Sequence, residues 1–373
     1  MKKVGIVTLH RSYSYGACLQ AYATKLAIEQ MGCNASFVNY VNENEQYQKR
    51  FVSRRRDHSF NQNAVASLKN IMLGRIPNER KAFDQFHEEF LPSLDETSNM
   101  ASISYSNFDI LLSGSDQLWN PELFGGLDRA YFLQFGNCRK IAYAASAGSY
   151  RYSKGELATL ENYLATYNQI SVREANLKSQ ISKIVDTPVE EVLDPTFLIT
   201  GEEWLDLAKK HGSFSHGKPY VLVYLVGVSK AHYEIAYAKV IEEVKRRYGC
   251  EALLIRSDGI SFSGCDKKLK RITPWDLILA ISNAELNIAS SFHGVAFAVN
   301  LGANFIALDN PSNPLRVQNL LADTGLEWKR YADTGSVSSC LDKPSYAEVG
   351  RRVDEARAKS LGWLSQALDC QSF

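Results

Sequence analysis

The sequence predicts an α/β protein built from two doubly wound domains that face each other across a cleft. Three observations predict it. Short β-rich apolar runs alternate with helical stretches over most of the chain, as in strand–helix–strand units with parallel sheets. The alternation starts afresh near Tyr220, after a Gly- and Ser-rich stretch from His211 to Lys218. The length of 373 residues suits two domains at roughly 150 residues each, with room for an insertion. The expected spans are 1–210 for the first domain, 211–344 for the second and 345–373 for a final helix.

Composition narrows the function classes. A chain that is 45% hydrophobic and 22% charged buries an ordinary core without disulfides or metals. Lys plus Arg is 42 against 41 for Asp plus Glu, a formal charge of +1, whereas a nucleic-acid binder asks for a basic excess. The longest apolar stretch, Tyr220 to Val228, is too short to span a bilayer. Lys2 and Lys3 are followed too soon by His10 and Arg11 for a signal peptide. The seven cysteines are scattered and none forms a C-x-x-C pair, so reduced thiols and a cytoplasmic location are expected.

Taken in order, Val4 to Thr8 reads as a strand and His10 to Ser14 as a polar loop. Tyr15-Gly16-Ala17 opens an Ala/Leu-rich helix that ends near Gly32, a C-cap. Ala35 to Asn39 is the next strand. Residues 41 to about 105 break the rhythm and read as an insertion of helices and loops. They carry the basic cluster Lys49, Arg50, Arg54, Arg55 and Arg56, then an amphipathic segment from Asn78 to Phe90. Strands resume at Phe108–Ser113, Lys140–Ala145, Gln169–Val172 and Val189–Leu193. The second series runs from strand Tyr220–Leu225 through helix Lys230–Tyr248 to strand Ala252–Ile255. Thr273-Pro274-Trp275-Asp276 is a helix start, with Thr as cap, Pro at the first position and an acid in the first turn. Strand Glu285–Ala289, helix Gly294–Leu301 and strand Asn304–Ala307 complete the unit. Ser345-x-x-Glu348 has capping-box spacing and opens the final helix. There is no internal repeat.

Four stretches hold residues suited to chemistry, and each also has a structural reading. At Ser14-Tyr15-Gly16-Ala17, Gly16 lets backbone approach a ligand and the free N–H groups of the helix start favour an anion; an ordinary tight turn looks the same. Ser113-Gly114-Ser115-Asp116-Gln117-Leu118-Trp119-Asn120 follows a strand where a switch-point loop lies. Asp116, Gln117 and Asn120 suit sugar hydroxyls and Trp119 suits a sugar ring; the alternative is a helix start capped by Ser115 or Asp116. Ser171-Val172-Arg173-Glu174 puts an Arg at a strand's carboxyl end, fit to grip a phosphate or carboxylate or to form an ion pair with Glu174. Ser290-Ser291-Phe292-His293-Gly294 brings hydroxyls, backbone N–H groups and an imidazole to a helix N-terminus, where His293 either acts as general acid or base or is structural. No spacing suggests a metal site, and no G-x-S-x-G elbow suggests a hydrolase.

In order along the chain, these stretches resemble the polysaccharide pyruvyl transferase family. Tyr15-Gly16-Ala17-Cys18-Leu19-Gln20 is similar to its N-Y-G-A-x-L-Q motif, with Ser14 in place of Asn. Ser113-Gly114-Ser115-Asp116-Gln117-x-Trp119-Asn120 resembles G-S-D-Q-x-W-N. Ser171–Glu174, Leu193-Asp194-Pro195-Thr196 and Ser291-Phe292-His293-Gly294 follow in family order, and Arg316 to Leu321 resembles a late S-R-x-x-x-L-L stretch, with Leu315 where Ser would stand. The resemblance implies two Rossmann-like domains in a GT-B-like arrangement, with the last helix returning to the first domain. It implies transfer of pyruvate from phosphoenolpyruvate to two hydroxyls of a sugar, leaving a cyclic ketal and phosphate. Arg173 and His293 match the family residues tied to donor binding and catalysis. Several members carry an Arg two residues before that His, where this chain has Ser291, so a donor-binding cation has to come from elsewhere.

These readings combine into one expected site. Arg173, Ser290, Ser291, His293, Gly294 and Gly16 hold the donor. Asp116, Gln117, Trp119, Asn120 and Tyr15 hold the acceptor, a sugar or lipid-linked oligosaccharide, with Asp116 as its base and Trp119 as its stacking platform. Arg173, His293 and Asp116 carry the reaction, and phosphoenolpyruvate is a co-substrate, with no further cofactor. Arg54, Arg55 and Arg56 are either a solvated face or a contact with anionic lipids at the inner face of the membrane. The same cleft would serve a GT-B-type glycosyltransferase using a nucleotide sugar, or a non-catalytic glycan- or anion-binding relative.

Overall fold

Among the described residues, twelve short strands make two parallel sheets. β1 (Lys3–Val7), β2 (Asn34–Phe37), β3 (Ile110–Ser113), β4 (Arg139–Ala145), β5 (Gln169–Val172) and β6 (Val189–Glu191) line up in the order β2-β1-β3-β4-β5-β6. β7 (Tyr220–Tyr224), β8 (Glu251–Ile255), β9 (Lys267–Lys268), β10 (Leu286–Ala289), β11 (Phe305–Leu308) and β12 (Arg330–Tyr331) line up as β12-β11-β10-β7-β8-β9. Runs such as Ile110-Leu111-Leu112-Ser113 and Tyr220–Tyr224 are buried at every residue, because helices cover both faces of a parallel sheet. This computed structural model describes residues 1–42, 77–93, 97, 99–103, 107–256, 261–310, 314–331 and 337–370. Arg54, Arg55 and Arg56 lie outside the described residues.

The helices are α1 (Tyr15–Gln30), α2 (Pro77–Phe90), α3 (Pro121–Phe124), α4 (Lys154–Leu164), α5 (Ala175–Ile181), α6 (Gly201–His211), α7 (Lys230–Ala236), α8 (Ala238–Tyr248), α9 (Pro274–Ser282), α10 (Phe292–Asn300), α11 (Leu315–Thr324) and α12 (Tyr346–Leu368). Eleven of the sixteen residues of α1 are buried, with only a narrow stripe at Lys25, Glu29 and Gln30 toward solvent, so this small-residue helix serves as an axle between the two halves. Around it, α2, α6, α9 and α10 bring aromatic rings together. Tyr22 stands 5.0 Å from Trp275, Phe86 is 5.3 Å from Trp275, and Trp204 is 5.3 Å from Phe297. One hydrophobic cluster therefore spans both sheets. Helix α12 straps them: Leu193 N–H donates to Ser360 Oγ at 3.0 Å and Arg139 Nε to the Ala367 carbonyl at 3.1 Å, while Tyr346 OH donates to the Ala303 carbonyl at 2.6 Å.

Three local expectations change. The single helix Lys230–Tyr248 breaks at Tyr237 (φ −119°), whose buried ring sends its hydroxyl to the Asp309 carbonyl, 2.6 Å away. Helix α10 begins at Phe292 rather than Gly294, because Ser291 is its N-cap and accepts the Gly294 N–H at 3.4 Å. The Ser345–Glu348 capping box does not form, since Glu348 is taken by Arg351 and Arg352 at 2.8 and 2.9 Å on the exposed face. The helix start at Thr273 forms as expected, and Asp276 adds both reciprocal bonds of a capping box.

Candidate functional site

The strand orders place the site. In such sheets ligands bind beyond the carboxyl ends of the strands, where the order reverses. In the first sheet that point lies between β1 and β3, in the second between β7 and β10. The loops that follow these four strands face one another across a cavity of about 710 Å³, within the usual range for a small-molecule site. Ser14, Asp116, Gln117 and Asn120 line it from one half, and Ser291, Phe292, His293 and Arg316 from the other. Ser290 is fully buried and ties the second pair of loops together: its Oγ donates to the Val226 carbonyl at 3.1 Å and accepts the Val226 N–H at 3.0 Å.

Next to the cavity lies a buried charge cluster. Arg173 continues β5 and spends its guanidinium on protein acceptors. Nε donates to Glu174 Oε1 at 3.0 Å, Nη1 to Asp194 Oδ2 at 2.5 Å and Nη2 to Ser146 Oγ at 2.9 Å. Burial disfavours its charge, but Glu174 and Asp194 more than offset that and hold its pKa above the ordinary value. Asp194 also accepts Thr196 N–H and Oγ1–H on Oδ1, at 3.0 and 2.8 Å. Burial would raise its pKa, but His293, Arg173 and the Thr196 N–H hold the carboxyl well below the usual carboxylate range. His293 Nε2 stands 3.7 Å from Asp194 Oδ2, an ion-pair distance rather than a hydrogen bond.

Arg316, near the start of α11, completes the cluster. Its Nη2 is 4.0 Å from Asp116 Oδ1 and its Nε 3.8 Å from Glu174 Oε1, so neither contact is a hydrogen bond. Nε and Nη2 are buried without a hydrogen-bond partner among the described residues. Burial and the charge of Arg173 push its pKa down to about 10, which still leaves it protonated at neutral pH. A guanidinium whose Nε and Nη2 make no hydrogen bond among the described residues is of the kind that can grip a phosphate or carboxylate bidentately.

The structure assembles most of the expected residues and relocates others. Asp116, held at φ 73°, lines the cavity, as do Gln117, Asn120, Ser291 and His293. The sparsely populated backbone of Asp116 is of the kind that persists where surrounding structure enforces it. Asn120, rather than Ser115 or Asp116, is the helix cap, accepting Glu122 N–H at 3.1 Å. Trp119 is no stacking platform for a sugar: it is 1% exposed and stacks on Phe132 at 5.0 Å, because its indole completes the core beneath β3 and donates to Ser113 Oγ. Tyr15 is likewise packed against Phe83 and Tyr224, at 4.7 and 6.1 Å, joining the two halves. Gly16 admits not a ligand but a side chain. A Cβ there would lie 2.1 Å from His293 Nδ1. Gly294 does the same for Tyr224, whose Cδ1 would be 2.8 Å from an added Cβ.

Arg316, Asp194 and Phe292 escaped the reading of the residues as site members. Asp194 and Arg316 had one signal, their place in the ordered family stretches; in sequence Arg316 lies 143 positions from Arg173, and nothing local sets it apart. Among the described residues no cluster of His, Cys, Asp and Glu could hold a metal, and no helix is long and apolar enough to cross a membrane.

The family model described as Polysaccharide pyruvyl transferase matches residues 15–313. Among solved structures, the chain is similar to the UDP-GlcNAc 2-epimerase of Methanocaldococcus jannaschii, with a TM-score of 0.54 and 13% identity over 99% of each chain. It is similar to the UDP-GlcNAc 2-epimerase of Neisseria meningitidis, with a TM-score of 0.50 and 10% identity over 99% of each chain. A mutant O-GlcNAc transferase of Thermobaculum terrenum has a TM-score of 0.50 and 9% identity over 99% of this chain and 66% of that one. At these identities the likeness is one of fold, the GT-B-like pairing of two parallel sheets. No curated protein sequence matches the chain.

Proposed function

The chain belongs to the polysaccharide pyruvyl transferase family, and we propose that it transfers pyruvate from phosphoenolpyruvate to two hydroxyls of a sugar in a surface-glycan precursor, closing a cyclic ketal. The observation that carries this reading is Arg316, a buried guanidinium whose Nε and Nη2 make no hydrogen bond among the described residues, at the same cavity as His293. It supplies the donor-binding cation that Ser291 does not. The N-terminus of α10, where His293 is the second residue, adds favourable N–H dipoles for the donor's anionic groups.

The chemistry follows from what phosphoenolpyruvate demands. Its methylene carbon takes a proton and becomes a methyl group, and the adjacent carbon, now oxocarbenium-like, is attacked by the first sugar hydroxyl. The second hydroxyl displaces phosphate and closes the ring. Of the two hydroxyl protons, one replaces the proton spent on the methyl group and the other leaves on phosphate. Asp116, at the cavity wall opposite His293, is placed to take the hydroxyl proton. His293 Nε2 has no hydrogen-bond partner among the described residues and is the nitrogen open to proton exchange with the donor. Asp194, whose carboxyl is held well below the usual carboxylate range, stays ionised and contributes a fixed negative charge 3.7 Å from His293 Nε2. Arg173 holds Asp194 and Glu174 in place and lies within one ring of Arg316.

The test is phosphate release from phosphoenolpyruvate with a panel of nucleotide- and lipid-linked glycans, with mass spectrometry of the product. A pyruvate ketal on the glycan is expected, and His293→Ala should lower turnover by ~10²-fold or more. Transfer of a hexose from a nucleotide sugar, with no phosphoenolpyruvate-dependent phosphate release, would overturn the reading in favour of glycosyl transfer. Near-normal turnover by His293→Ala would overturn the role of that residue. We place the reaction in the cytoplasm, at the inner membrane face where lipid-linked acceptors reside. Liposome co-sedimentation with Arg54, Arg55 and Arg56 neutralised tests the membrane contact, and unchanged binding removes it.

A further inference from the structure

Phe292 separates Ser291 from His293 and has no polar atom with which to serve a donor. Its surroundings are nonetheless cationic. The Arg173 guanidinium carbon lies 4.8 Å from the centre of its ring, and that of Arg316 4.7 Å. Two like charges thus share one aromatic ring, which is itself 8% exposed and lines both the main cavity and a second cavity of about 260 Å³ behind it. The two arginines differ in what else holds them. Arg173 has three hydrogen-bond acceptors, at 2.5–3.0 Å. Arg316 has two carboxylates at 3.8 and 4.0 Å, with no hydrogen bond from Nε or Nη2, and Arg173 repels it. Among the described residues the ring face adds a further contact of cation-stabilising kind, since its quadrupole is negative toward a cation placed over it.

We propose that Phe292 is a positioning residue that holds Arg316 over its ring and presets the Nε–Nη2 edge for the donor's anionic group. The inference rests on the donor reading above. Without the ring, Arg316 would be drawn to Asp116 and Glu174, each already within 4.0 Å. Its open edge would then be spent on the protein, and an incoming anion would have to break those pairs before binding. The ring therefore keeps the receptor open while lowering the cost of two buried positive charges side by side.

The experiment compares Phe292→Leu, which keeps apolar bulk, with Phe292→Tyr, which keeps the ring. Phosphoenolpyruvate and inorganic phosphate are each titrated by calorimetry without acceptor, and KM and kcat are then taken from phosphate release. Circular dichroism checks folding, and Phe292→Met is the second ring-free variant if Leu does not fold. Loss of a desolvated cation–π contact should weaken phosphoenolpyruvate binding and raise its KM about 5- to 30-fold, with kcat within about threefold. Phe292→Tyr should bind as the unmodified protein does. Combining Phe292→Leu with Arg316→Ala should add little to the loss from Arg316→Ala, as coupled residues do. If Phe292→Leu binds both anions normally while Arg316→Ala does not, Phe292 is only packing and the proposal falls, with the donor reading intact. If phosphoenolpyruvate is not bound but inorganic phosphate is, with the same dependence on the ring, the donor reading falls and the positioning role stands.

Discussion

Replacing Gly16 by Ala sets two opposed effects against each other. Ala is the better helix former by roughly 1 kcal/mol, and Gly16 is the second residue of α1, so local propensity alone favours the change. The tertiary structure opposes it. An added Cβ would lie 2.1 Å from His293 Nδ1, 2.3 Å from its Cγ and 2.8 Å from its Cβ. Non-bonded carbon contacts settle near ~3.5–4.0 Å, so the imidazole has to retreat by ~1.4 Å or more. No rotamer supplies that retreat, because the His293 Cβ itself is already too close; α1 and α10 must part. Overpacking of this kind costs about 1–3 kcal/mol, leaving a net destabilisation of roughly 0–2 kcal/mol after the helix gain. Activity suffers more, since a displacement of ~1 Å at a reacting group can cost about 10²-fold in rate. The expected result is a folded protein with a small shift in urea midpoint and turnover of phosphoenolpyruvate reduced ~10²-fold. Turnover within threefold of the unmodified protein, at unchanged stability, would refute the placement of His293 against α1.

Trp119→Ala removes an almost fully buried indole and should lower urea-unfolding stability by about 3–5 kcal/mol; a loss below ~1 kcal/mol would mean that Trp119 faces the cleft after all. Arg316→Lys keeps the charge and loses the planar fork, so KM for phosphoenolpyruvate should rise on the order of tenfold; an unchanged KM argues against bidentate capture. Acid denaturation should carry the imprint of Asp194, whose folded-state pKa is depressed. Its stabilisation is present above the unfolded value near ~3.9 and is lost as pH falls further toward the folded value. Urea midpoints between pH 5 and pH 3 should therefore fall less steeply in Asp194→Asn than in the unmodified protein, and equal slopes would contradict this. Lys329 is fully buried and donates to Asn304 Oδ1, the Cys340 carbonyl and the Asp342 carbonyl. Lys329→Met strands those acceptors and should destabilise the second sheet's edge by at least ~2 kcal/mol, read by thermal unfolding.

Much of the architecture was legible because its signals are local. The strands at residues 110–113, 139–145 and 169–172 are short apolar runs bounded by turn residues, and the helix start at Thr273-Pro274-Trp275-Asp276 is a four-residue pattern of cap, proline and acid. The break at Tyr237 was not legible, since it depends on a carbonyl at Asp309, far along the chain. The capping box at Ser345 failed for a local reason of a different kind: Arg351 and Arg352 compete for Glu348 at helical spacing. The site shows the same division. Asp116 and His293 stood out because each ends a strand–loop joint at a switch point, where ligands bind in sheets of this kind. Trp119, in the same loop, reads as an equally good site residue until burial assigns it to the core.

Read from residues alone, the chain already specified its two α/β halves, its near-neutral charge and the loops that border the cleft, because each of these follows from periodicity, composition and turn chemistry within a few residues. Only the folded arrangement decided which of the loop residues line the cavity. Ser291 lacks a cation, and the buried guanidinium beside it at the cavity, that of Arg316, arrives from a helix 23 positions beyond His293. Gly16 is needed for a ring that belongs to the other half of the molecule. Both depend on how two sheets dock around α1. Burial and desolvation act on the atoms that docking brings together, so their consequences cannot be read from spacing along one strand or one helix.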